Sequence, residues 1–375
     1  MMSNQSKMVF IGLVLIIIFI LSANLISGII FPEESVIAPQ TIGEPVTFQS
    51  YPIVVSHTFP FEKAMVSLSV PVNASVLEET QENGRVLPIF YNNSGSGGIA
   101  DGYRAMVMDP VQEQIFSDLL EELRTVRDLQ SLSDDEYLEL MAVYVQSLRY
   151  ESLEQSPAKF PAETIFDSAG DCDDKSLLLA GLLAREGYSV ALLSFGPEAH
   201  MAIGIGSDDY LYKKTGYTFL ETTNYSFVGV PTDSLGSNLT LNSDPVIIVI
   251  STGKKLYRSG NDTRYIHESY VKSEQKMNEL ASELTDLNDD IIAKRKRISE
   301  LESQIAQLKN SDNIKEYNSQ VATYSTLVSI YNRRLSSARQ IHADYDKYAD
   351  IHKYIFEHKY DRKGVYDYVK KNFSF

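Results

Sequence analysis

GDCDDKSLLLAGLLAREGYSVALLSFGPEAH, residues 170–200, holds the chain's only cysteine and closes on a histidine. Leu177, Leu178, Leu179, Leu182 and Leu183 follow the apolar pattern of a buried helix, Gly187 supplies a left-handed C-cap, and YSVALLSF reads as the next strand. Asp171 occupies the N-cap position, with Asp174 three residues on as an acidic capping-box partner, so Cys172 falls in the first helical turn. A helix from Cys172 to Glu186 climbs roughly 22 Å, and the eight-residue strand returns about 26 Å. His200, after the Gly196-Pro197 turn, therefore lies near the helix start that carries Cys172.

At 375 residues and 43% hydrophobic content the chain has material for two domains. A single cysteine excludes an intramolecular disulfide and a Cys-based zinc cluster, leaving an inert buried thiol or a nucleophile. Its place at a helix start, with a histidine downstream, favours the nucleophile. The net charge of -16 is uneven: residues 264–375 hold 19 Lys+Arg and 17 Asp+Glu, leaving 15 against 33 for residues 1–263. That acidic body has no basic patch interleaved with aromatics, which argues against nucleic acid as a partner.

Residues 8–31 form an uncharged apolar run of 24 residues, long enough to span a bilayer. The length of the run and the single Lys7 before it predict an uncleaved anchor (residues 1–31), and Lys7 against Glu33 and Glu34 places its N-terminus inside and the remainder extracytoplasmic; a cleaved signal peptide is the alternative. Asn-x-Ser/Thr sites at Asn73, Asn92, Asn224, Asn238, Asn261 and Asn372 agree with a translocated glycoprotein. Residues 32–110 read as a Pro-containing spacer followed by two short strands, PIVVSHTF and AMVSLSVPV, and by a loop, YNNSGSGGIADG, at 91–102.

From Pro110 the period turns helical. Val111, Ile115, Leu119, Leu120 and Leu123 mark one amphipathic helix, and Leu138 to Leu148 a second, capped by Ser133 with Glu136. MAIGIG, YTFLETT and PVIIVI then read as strands ending near residue 250. In this order YVQSLRY, FPAETI, GDCDDKSLLLAGLL, HMAIGI and FLETT resemble the transglutaminase-like superfamily of cysteine enzymes, in the form seen in archaeal envelope proteins. The resemblance spans residues 111–225 and implies an α+β, papain-like catalytic domain over 111–250 with a Cys/His/Asp-type triad. By it, Cys172 would be the nucleophile and His200 the base and later the acid, in a peptidase, amidase or crosslinking transamidase. Glu221 stands where the family usually has Asp, with Asp208 and Asp209 as rivals; pairing Gly206 with Tyr217 would set Glu221 diagonal to His200 on one sheet face.

A thiolate attacks a carbonyl while a neighbouring imidazole takes its proton and returns it to the leaving amine, which is why Cys and His suit this chemistry. The helix N-terminus favours the thiolate, whereas Asp171, Asp173 and Asp174 oppose it. The Cys172 backbone N–H and the Gln146 side chain are candidate oxyanion donors, the alternative for Gln146 being a packing bridge. His57, His267, His342, His352 and His358 form no ligand-like pair, and neither a cofactor nor a catalytic metal is expected.

From Met277, Leu280 to Leu308 keep a heptad spacing broken at Lys294, and Ile314 to Tyr345 repeat it after the polar turn KNSDN. Two helices joined so briefly run antiparallel, predicting a coiled-coil hairpin over 264–345 and a Tyr-rich basic helical tail over 346–375. Such an arm is a spacer, or a docking surface for an envelope protein or a second copy. The sequence thus predicts a membrane-anchored extracytoplasmic cysteine enzyme acting on protein or peptide, or else a non-catalytic envelope scaffold or adhesion protein that binds through the hairpin.

Overall fold

Val66, Leu68, Val70 and Val72 alternate with exposed residues, so one face of their strand is buried, as a period of two requires. In a computed structural model, which describes residues 52–82, 96–152, 157–231, 239–309 and 312–373, this strand is β2 (Ala64–Val72). It pairs antiparallel with β1 (Ile53–Phe61), from Ile53 opposite Val72 to Phe61 opposite Ala64. Phe59, Phe61 and the β2 valines share one core with Leu119, Leu123, Met141 and Tyr144. The expected boundary at residue 110 is therefore not a boundary in the packing.

Four helices follow: α1 (Ala74–Glu82), α2 (Ser96–Val107), α3 (Glu113–Gln130) and α4 (Asp134–Ser147). The Gly-rich stretch read as a loop over 91–102 enters α2 at Ser96; residues 91–95 lie outside the described part. Burial of Tyr103, Met106 and Val107 supports that helix despite its glycines. In α4 the Ser133 hydroxyl accepts from Glu136 N at 3.3 Å and Glu136 Oε2 accepts from Ser133 N at 2.8 Å, the capping box expected there.

The two-residue strands β3 (Arg149–Tyr150) and β4 (Ala169–Gly170) pair in parallel around α5 (Pro161–Asp167) and deliver the chain to α6 (Cys172–Arg185). Leu177, Leu178, Leu179, Leu182 and Leu183 of α6 are fully buried, and Gly187 takes φ 83°, a left-handed value that suits glycine. The main sheet contains β5 (Ser189–Phe195), β6 (His200–Gly206), β7 (Tyr217–Leu220) and β8 (Val246–Thr252) in the order β7-β6-β5-β8, all antiparallel. Gly206 lies opposite Tyr217, the register anticipated from the sequence.

Two long helices complete the chain before a short last one: α7 (Gly260–Leu308), α8 (Ile314–Glu357) and α9 (Arg362–Asn372). Tyr270 stacks on His352, Arg334 pairs with Asp290 and Tyr324 bonds Glu302. As one number rises the other falls, so α7 and α8 run antiparallel. The pair extends beyond the expected 264–345 at both ends, because Thr263, Ile266 and Tyr270 and, from the other arm, Ile351 and Ile355 are buried at its base. Lys294, the break in the heptad, joins Asp290, which also holds Arg334 of the opposite helix.

Two expectations require correction. The structure is a mixed α/β body with a four-stranded antiparallel sheet and a long helix pair; it does not define the α+β transglutaminase-like (papain-like) architecture with a transmembrane helix. The motifs behind that expectation are short helix-start and strand signals, which set local structure without fixing a layout. No described helix is long and apolar enough to cross a membrane, since the three described helices of sufficient length carry charges throughout. The run at 8–31 lies outside the described residues, and the single-pass anchor, the membrane as partner and the extracytoplasmic placement are withdrawn.

Candidate active site

Cys172 stands in the first turn of α6 because Asp171 caps that turn: Asp171 Oδ1 accepts from Asp174 N at 3.3 Å and Asp174 Oδ2 from Asp171 N at 3.1 Å. The sulfur meets the start of β6 on both sides of His200. It reaches the Ala199 carbonyl at 3.9 Å, and the Met201 backbone N–H donates to it. Ala199 takes φ 48°, a left-handed value uncommon for a residue with a Cβ, at the step that turns the chain into the strand. The structure thus brings Cys172 against the backbone of His200.

The imidazole is buried, and its Nε2 lies 2.9 Å from Glu221 Oε2. Glu221 follows β7, whose pairing Ile203–Leu220 sets it beside the head of β6. Its other oxygen, Oε1, accepts from Thr222 N at 3.0 Å, Thr223 N at 2.8 Å and Thr223 Oγ1 at 2.7 Å. Burial works against this carboxylate, but the hydrogen bonds from His200 and Thr223 hold it below the ordinary range, so it is ionised. With Nε2 engaged by Glu221, Nδ1 is the ring nitrogen left for a thiol. Asp208 and Asp209 sit beyond the opposite end of β6.

Gln146 stands as the packing bridge, the alternative to an oxyanion donor. Its Nε2 donates to the Glu221 carbonyl at 2.8 Å and to the Ser226 carbonyl at 3.0 Å, so both amide hydrogens brace the segment after β7 and neither serves an oxyanion. Of the candidate oxyanion donors, the Cys172 backbone N–H remains. Lys175, Tyr103 and Tyr150 were not foreseen. Tyr103 is buried and hydrogen-bonds Asp173, and burial raises both phenols, with Cys172 and Asp173 adding to the effect. A lysine inside the otherwise apolar face of DDKSLLL was the available signal for a buried cation.

Burial, more than the acidic collar, sets the state of the thiol. Cys172 is 7% exposed, and burial, with Asp173 and Asp171 adding, pushes its thiol well up. The resting site therefore holds a neutral thiol. Oxygen and sulfur atoms of Asp171, Cys172 and Asp173 lie within 4.8 Å of one another, the only such His/Cys/Asp/Glu group among the described residues. Three consecutive donors at one helix start offer no ligand from a second element, so we assign no metal to the group. His57 bonds Ser147 at 2.7 Å, and His267 bonds Tyr210 at 2.6 Å.

Burial and the hydrogen bond to Asp171 push the Asp173 carboxyl up to about 9, and burial beside Asp171 pushes Asp174 up to about 6. Both folded values exceed the ordinary carboxyl value of roughly 3.9, so the native state holds protons the unfolded chain has released. Their stabilisation is complete below about pH 4 and is lost as pH rises through about 9 for Asp173. Asp173→Asn should flatten this fall, raising the melting temperature at pH 9 relative to wild type by on the order of 5 °C. Calorimetry at pH 5, 7 and 9 checks it; parallel profiles for the two proteins would refute the assignment.

A concavity lined by Glu139, Val143, Ser226, Phe227, Tyr360 and Arg362 lies elsewhere and includes none of Cys172, His200 and Glu221. No protein family, no curated protein and no solved structure matches the chain. The archaeal and envelope attributes drawn from the resemblance accordingly gain no support, and they are withdrawn with the anchor, as is the glycoprotein attribute read from the Asn-x-Ser/Thr sites.

Proposed function

We propose that the chain is a cysteine-dependent acyl-transfer enzyme, a peptidase or amidase acting on protein or peptide, with the type of chemistry used by the transglutaminase-like superfamily. The 2.9 Å contact between His200 Nε2 and Glu221 Oε2, buried beside the only cysteine, carries this reading. The Cys172 sulfur attacks the substrate carbonyl as its proton passes to His200. Collapse of the adduct breaks the carbon–nitrogen bond, the imidazolium returns the proton to the departing amine, and a thioester remains on Cys172. Water then releases the acid, or an amine releases a new amide. Because the resting thiol is neutral, the proton moves during attack and no preformed ion pair is required.

Mass spectrometry of the full chain with an acyl-type thiol trap tests the reading. One adduct is expected on the wild type and none on Cys172→Ala, with labelling of His200→Ala slower by about 100-fold. Labelling indifferent to His200→Ala would sink it. The buried, proton-loaded thiol favours a second reading, a non-catalytic scaffold whose helix pair binds a partner or a second copy; in that case no trap of any length reacts faster than denatured protein does.

A further inference from the structure

We propose that Lys175 is a positioning residue whose ammonium locks the Glu221 segment to the helix that carries Cys172. Lys175 lies one turn along α6 from the cysteine and is fully buried, 0% exposed. Its Nζ donates to the Gln146 carbonyl at 3.2 Å, the Leu148 carbonyl at 2.9 Å and the Thr223 carbonyl at 3.2 Å. A buried ammonium has three N–H bonds to satisfy, and these three acceptors satisfy them. Two of the acceptors stand at the C-terminal end of α4, where carbonyls lack partners within the helix and the dipole favours a cation. The third belongs to the residue that holds the triad carboxylate.

Thr223 connects the two halves of the arrangement. Its carbonyl accepts from Lys175 while its N–H and hydroxyl donate to Glu221 Oε1 at 2.8 and 2.7 Å. Glu221 Oε2 then meets His200, whose flanking peptides touch the Cys172 sulfur. Ser176, the next residue of α6, adds a contact of 3.1 Å from its hydroxyl to that of Thr222. Nucleophile and orienting acid, 49 positions apart in sequence, are thus referred to one helix. Glu221 is also the charge that opposes the desolvation of the lysine; burial brings the ammonium down to about 8.

The assignment rests on the proposed thiol chemistry for its functional meaning, but the geometry is testable apart from it. In Lys175→Met, amide hydrogen exchange at Thr222 and Thr223 should accelerate at least tenfold while exchange in β5 and in the middle of α6 is unchanged. The His200-dependent part of Cys172 trapping should fall by at least tenfold, and its dependence on pH should flatten. Should the methionine variant fold poorly, Lys175→Gln, which keeps two donors, should show a smaller change at the same two amides. Unchanged exchange at Thr222 and Thr223 overturns the proposal, and so does global unfolding of both variants, which would make Lys175 a determinant of the whole core. If wild-type trapping proves indifferent to His200→Ala, the acyl-transfer reading fails by itself and the exchange result still decides the role of Lys175.

Discussion

Glu221→Gln is expected to slow acyl trapping at Cys172 by at least about 100-fold while leaving the fold intact. Three donors from Thr222 and Thr223 converge on Oε1, and a glutamine in this place satisfies them by turning its carbonyl oxygen toward them. Its NH2 group then faces His200 Nε2, which must accept rather than donate. The ring proton moves to Nδ1, the tautomer that cannot take a proton from a thiol on that side. Second-order trapping rates by intact-mass measurement, with circular dichroism to confirm the fold, provide the test. Equal rates for wild type and Glu221→Gln would remove Glu221 from the mechanism.

Arg362→Ala is expected to cost about 3–5 kcal/mol of stability, the usual effect of removing one member of a buried ion pair. Arg362 opens α9 at 8% exposure, with Nε 2.5 Å from Glu139 Oε1 and NH1 2.9 Å from Asp262 Oδ2. The Tyr257 hydroxyl also donates to Glu139 Oε1, at 2.7 Å. The arginine thereby ties α9, α7 and α4 together, and its loss leaves the Glu139 carboxylate buried with one neutral donor. Urea unfolding of the full chain measures the cost. The double variant Glu139→Gln/Arg362→Met should recover most of it, and a loss under about 1 kcal/mol for Arg362→Ala would show that the network contributes little.

Much of the site was legible because its signals are local. The Asp171–Asp174 capping box fixed where α6 begins, the length of α6 and β5 returned His200 to Cys172, and the even pairing of β6 with β7 delivered Glu221. What escaped reading depends on tertiary neighbours. Gln146 could be read as an oxyanion donor or a packing bridge, but the Glu221 and Ser226 carbonyls that it braces come from a segment 75 to 80 positions away. The raised carboxyl of Asp173 follows from its depth of burial, which a charge count cannot reveal. The fold-level resemblance failed for a related reason: short motifs report the ends of elements, and the order β7-β6-β5-β8 arises from contacts between distant parts of the chain.

The pairing of α7 with α8 leaves the length of the arm as an independent variable. Contacts from Tyr270–His352 through Asp290–Arg334 to Glu302–Tyr324 keep one register, whereas the core at the base draws on Ile266, Ile351, Ile355, Val365 and Val369, together with Phe227 and Val230. Removing two heptads from each helix at matched positions would shorten the arm by about 21 Å and leave every base contact in its place. The reach of the arm is therefore adjustable in steps while the base that carries it is held constant.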